Sequence, residues 1–204
     1  ERHSGWIMPS FGFDGTNGST MNGLGYYWAP NDYMDSKLLI NFADRIGFWV
    51  RNKINYKLRY KIDGSVDLKF VRKLVNTKYI ESIMTDSTKQ EYEIDIRHTH
   101  YIDPTQTLDI KYNYVSNYNF YENTGSDPIQ NLTKQLSKSS LNYSKSWTNG
   151  NSMTFSANNI VDLKKQEQIS YAPEDINSII FPTTRNRFPA INFSHPTNNL
   201  FGSG

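Results

Sequence analysis

His98 and His100 stand two residues apart, the nearest approach to metal-ligand spacing in the chain. On a strand they share one face, because alternate side chains point the same way. Two imidazoles do not complete a zinc shell, and the chain has no cysteine to extend it. Histidines so placed more often sit at an interface. Hydrolytic chemistry needs a nucleophile, a base and an orienting acid within mutual reach. The four histidines are scattered, no nucleophile-elbow motif occurs, and the carboxylates alternate with lysines. Gly12, Gly15, Gly23 and Gly25 follow no phosphate-loop spacing and open no helix. Asn131-Leu132-Thr133 fits the glycosylation triplet, which arises readily in a chain rich in Asn and Ser. These features predict no enzyme, no metal and no cofactor. What does stand out is a row of cations at alternate positions: Arg51, Lys53, Lys57, Arg59 and Lys61. Its chemistry is the binding of anions.

A strand is what would hold such a row. From Ile46 to Lys61 the even positions read Ile, Phe, Val, Asn, Ile, Tyr, Leu, Tyr, and the odd positions carry the cations with Trp49. Period two gives one apolar and one cationic face, whereas a helix would mix them. Asp63-Gly64 is a hairpin signal, and alternation resumes beyond it with Val66, Leu68 and Phe70. It recurs at 91–97, 108–114, 141–147 and, after the turn Asn149-Gly150, 153–157. With runs near 5–14, 19–29 and 35–43, the sequence predicts nine or ten antiparallel strands. Ile46 to Tyr60 alone would span roughly 50 Å, longer than the about five or six residues of ordinary strands.

Connections alternate in length. Short ones fall at Asp63-Gly64, 102–106 and 148–151, long ones at about 75–88, 116–135 and 163–178. Outer-membrane barrels pair short periplasmic turns with longer external loops. By parity, Pro30-Asn31-Asp32 is a periplasmic turn and Gly15-Thr16-Asn17-Gly18 an external one. Trp6, Trp28 and Trp147 with nearby tyrosines suit the aromatic girdles of such a barrel, while Trp49 shares the cationic face. An apolar fraction of 37% and a mean hydropathy of −0.67 contain no stretch of roughly 18 apolar residues, so helical spans are excluded. A net charge of +2 is too weak for a nucleic-acid surface. The expectation is an all-β, up-and-down antiparallel meander. Residues 1–204 would be a single-domain piece of a transmembrane β-barrel, incomplete at both ends. A porin or receptor barrel, or a secreted glycan-binding β-protein, is the alternative.

Two N-terminal motifs decide among these. GWIMPSFGFD (5–14) resembles the opening strand of the LptD family, and GLGYYWAPNDYMD (23–35) resembles its second strand and the turn beyond. LNYSKSWTNGNSMTFSA (141–157) is similar to hairpins of divergent members. The resemblance implies an outer-membrane translocon that inserts lipopolysaccharide through a lateral gate. It also implies a preceding periplasmic jelly roll contacting a bridge protein of LptA type, further strands, and a plug lipoprotein of LptE type. Pro9 would be a gate residue, since proline gives the ladder no donor. Gly25 stands where the family often has a second proline. Arg51, Lys53, Lys57, Arg59 and Lys61 would then meet lipid A phosphates or simply form a solvated lumen wall, the commoner role for any one of them.

Overall fold

The computed structural model describes residues 2–15, 18–75, 87–116, 136–162 and 185–195. They form one antiparallel sheet: β1 (Gly5–Ile7), β2 (Ser10–Asp14), β3 (Gly18–Asn31), β4 (Met34–Ala43), β5 (Gly47–Leu58), β6 (Ile62–Val75), β7 (Ser87–Asp103), β8 (Gln106–Val115), β9 (Leu136–Ser146), β10 (Ser152–Asp162) and β11 (Arg185–Ser194). Each strand from β3 onward pairs with its chain neighbours, and β1 and β2 both lie against β3. The meander is therefore ten strands wide, and β1 and β11 stand at opposite edges of an open sheet. The alternating segment predicted at Ile46–Tyr60 is β5, with 12 residues, paired to β6 over its whole length and to β4 from Gly47 to Tyr56. A tilted strand crosses a bilayer in about 9–11 residues.

Register turns the alternation of single strands into two continuous faces. Across β5, β6, β7 and β8, Ile54, Val66, Ile96 and Tyr112 lie in one row. One residue along, Lys53, Asp67, Asp95 and Asn113 form the row on the opposite face. Burial then tells which face is inside, and it inverts the order of a soluble protein. On the polar face Glu91 is 1% exposed and Lys73 8%, beside a small apolar cluster of Val71, Val115, Trp49 and Val161. The apolar face is open: Phe42, Leu68, Tyr92, Tyr112 and Tyr114 are all exposed. A sheet that encloses its charges and offers a broad apolar surface outward matches the lumen and lipid faces of a barrel wall.

Connections sort the two ends of the sheet. One end carries the short turns 32–33, 59–61, 104–105 and 147–151; at the other, 44–46 joins β4 to β5, and β6, β8 and β10 end there at Val75, Val115 and Asp162. Exposed Trp28, Tyr33, Tyr60 and Tyr101 gather at the short-turn end, with Trp147 set 6.3 Å from Phe193. The three long connections expected from sequence, and Asn131-Leu132-Thr133, lie outside the described residues.

Two turns fall elsewhere than expected. Asp63-Gly64 is not a turn: both residues are in β6, paired with Lys57 and Tyr56. The chain reverses at 59–61, where Tyr60 takes φ 63° and the Lys61 amide donates to the Leu58 carbonyl. Gly64 is required for another reason, since a Cβ there would run into the Tyr56 ring. Likewise Pro30 and Asn31 close β3, and 32–33 make the turn.

Candidate functional site

The first feature is the edge formed by β1 and β2. Ile7 pairs with Gly25 and Ser10 with Asn22, so two residues on each strand lie between and the register is continuous. Met8 and Pro9 fall in that gap opposite Leu24 and Gly23. Proline supplies no amide, and the ladder is broken there into β1 and β2. The partner strand is irregular at the same height. Between Met21 and Leu24, β3 gains a residue over β4, a β-bulge at Asn22-Gly23. Gly23 has φ 80°, and its amide donates to the Asn41 Oδ1 at 2.8 Å. That amide points toward β4 and is not offered to Pro9.

The paired irregularities also exchange the faces. Trp6 lies outward beside Tyr26, the rings 5.1 Å apart, whereas beyond Pro9 the outward positions are Phe11 and Phe13. Trp6 is 72% exposed and both phenylalanines 77%, so the outward surface stays apolar across the break. Gly25, predicted beside Pro9 as a gate residue, has ladder partners on both sides, Ile7 and Leu39. A Cβ there would collide with the Leu38 carbonyl and the Leu39 side chain, so it is a close-packing glycine two residues from the bulge. Sequence reasoning passed over Gly23 and Asn41. The Asn22-Gly23 pair inside a strand pattern was the available signal.

The inner face is the second feature. Arg51 grips Asp67 through two parallel bonds, Nε to Oδ1 at 2.9 Å and Nη2 to Oδ2 at 2.5 Å. Lys69 meets Glu93 at 2.5 Å, Lys73 meets Glu91 at 2.6 Å and Lys57 meets Asp63 at 2.6 Å. Arg2 and Asn55 both hold Asp35, at 2.8 and 2.7 Å. Of the predicted cationic row, Arg51, Lys53 and Lys57 do lie on this face of β5. Arg59 and Lys61 do not continue it, because the strand ends at Leu58; both sit in the turn, with Arg59 over the Tyr60 ring at 4.7 Å. The two histidines face outward instead. His98 Nδ1 lies 2.9 Å from the Tyr56 hydroxyl, and its ring is 6.0 Å from that of His100.

An enclosed charged wall, an apolar exterior and a proline-broken edge strand all agree with one comparison. The profile of the family described as LptD protein matches residues 1–199. The chain belongs to the LptD family. No curated protein matches it. LptD proteins are transport and assembly components of the outer membrane, and membership places this chain in lipopolysaccharide assembly. Its described strands form an all-β, antiparallel up-and-down meander that does not close into a barrel.

Proposed function

We propose that this segment is the first part of an outer-membrane barrel through which lipopolysaccharide moves, leaving sideways at a seam beside β1 and β2. One observation carries the reading: the edge strand is interrupted at Pro9 where β3 has turned its Gly23 amide away to Asn41. Backbone bonds are what hold adjacent strands together, and each contributes about 0.5–1.5 kcal/mol net. An edge that lacks donors on both strands at one height parts there first. Gly25 keeps β3 close to β4, so opening at the edge leaves the rest of the wall intact. The short-turn end faces the periplasm and the long-connection end the outside, as in other bacterial barrels. A bridge protein of LptA type would deliver the lipid from the periplasmic side. A plug of LptE type would occupy the lumen lined by Arg51, Lys53 and Lys57, while Arg59 and Lys61 ring the periplasmic mouth.

The test is Pro9→Ala in the full-length protein. It restores one donor to the edge strand, so the barrel stays folded and parts several-fold less often, 1.4 kcal/mol being about tenfold. Lipopolysaccharide arrival at the cell surface falls and sensitivity to large hydrophobic antibiotics rises. Normal assembly with normal delivery refutes the gating role and leaves Pro9 an ordinary edge proline.

A further inference from the structure

Among the described side chains most cations on the inner wall of β5, β6 and β7 are answered by a carboxylate, and Lys53 is not. Lys37 of β4 and Lys53 of β5 are direct cross-strand partners on the inner face. Like charges directly opposite destabilise a sheet. Among the described residues neither lysine has an ion pair or a hydrogen bond. The nearest carboxylates are committed elsewhere: Asp67, opposite Lys53 on the other side, is clamped by Arg51, and Asp35 is held by Arg2 and Asn55.

The pair lies in a concavity of about 350 Å³ whose lining also includes Tyr27, Leu39, Arg51, Asn55 and the carboxylate of Asp35. Tyr27 is the cross-strand partner of Lys37, and Gly5 of β1 is the partner of Tyr27. In the row from the seam inward the order is therefore Gly5, Tyr27, Lys37, Lys53. A phenol, two ammonium groups and the edge of a guanidinium line one hollow beside the edge strand, together with the Asp35 carboxylate, whose charge is answered by Arg2. Ammonium and guanidinium donors bind phosphate oxygens with the strongest protein hydrogen bonds. An anion between Lys37 and Lys53 relieves their repulsion, and a sheet that keeps both uncompensated is suited to receive one.

We infer that Lys37 and Lys53 form a phosphate-binding site on the inner wall next to the seam, where a phosphorylated glycolipid headgroup is held before it leaves. The inference rests on the transport reading for the source of the phosphate. The site itself rests on the lysine pair.

Purified full-length protein in detergent is titrated with bisphosphorylated lipid A, with the same lipid stripped of phosphate, and with pyrophosphate. Lys37→Gln and Lys53→Gln each weaken binding of the bisphosphorylated lipid about tenfold, the scale of one charge-assisted bond. The stripped lipid binds wild type and variants alike. Lys111→Gln, at a lysine of β8 on the same face, opposite Arg97 and away from the seam, changes nothing. Heat-modified migration on gels confirms that the variants remain folded. Pyrophosphate binding with the same lysine dependence assigns the site to phosphate in general, and lipid binding alone assigns it to the headgroup. Equal affinity of wild type and the double variant for both phosphorylated probes overturns the inference while leaving the transport reading standing. So does an equal loss in Lys111→Gln. A wild-type protein that binds pyrophosphate through the lysines but ignores the lipid upholds the site and overturns the transport reading.

Discussion

Replacing Asn41 by Ala removes the acceptor that holds the bulge of β3. The Gly23 amide loses its partner at 2.8 Å, in a half-buried position against β4. A buried donor left without a partner costs about 1–3 kcal/mol; partial water access puts this one near the lower half, about 1–2. That range corresponds to roughly 5–30-fold in an opening equilibrium. Hydrogen exchange on the full-length protein reads it directly. A peptide covering 19–28 should lose protection by that factor, while one covering 62–70 in β6, whose pairing is unbroken on both sides, should not change. Asn41→Asp keeps a carbonyl-type acceptor and should stay close to wild type. If Asn41→Ala exchanges at the wild-type rate at Gly23, the bulge is held by the strands alone and the clasp has no mechanical role.

Gly64→Ala forces a Cβ into the Tyr56 ring and should destabilise the barrel by about 1–3 kcal/mol, the usual cost of overpacking, seen as a lower temperature of heat-modified migration. Tyr56→Ala in the same chain should recover most of the loss. Lys73→Met removes one cationic partner of a carboxylate that is almost fully enclosed and should lower the melting temperature, whereas Lys57→Met, in an exposed pair, should leave it unchanged. Single cysteines at Asn123 and Asn149 in the full-length protein should label differently on intact cells. A membrane-impermeant reagent reaches the first and misses the second, and equal labelling refutes the orientation.

Period-two alternation made the strands legible because β4 to β7, and β7 with β8 as far as Tyr101–Thr107, pair even positions with even. The match of Ile54, Val66, Ile96 and Tyr112 follows from unbroken register. Alternation shows two faces without saying which one turns inward; the enclosure of Glu91 and Lys73 supplies that. Turns were harder, since glycine serves more than one purpose. Asp63-Gly64 has hairpin chemistry, yet its glycine makes room for an aromatic ring on the next strand, and the real reversal uses Tyr60 at positive φ, which no residue preference announces. The seam was half legible. Pro9 is visible as a missing donor, but the bulge opposite it depends on a one-residue slip between β3 and β4, and the Asn41 clasp on a contact across strands. The lysine pair was hidden for the same reason. Lys53 was read along its own strand, and only cross-strand register sets it against Lys37.

The central claim is that lipopolysaccharide passes the wall at β1. A photo-crosslinking residue placed at Ile7, on the inner side of that strand, tests it in cells expressing the full-length protein. A second one at Phe155, outward on β10 and far across the sheet, serves as reference. The account predicts lipopolysaccharide adducts at Ile7 that accumulate during active delivery and stay well above those at Phe155. Adducts that are absent at Ile7, or equal at the two positions, would contradict it.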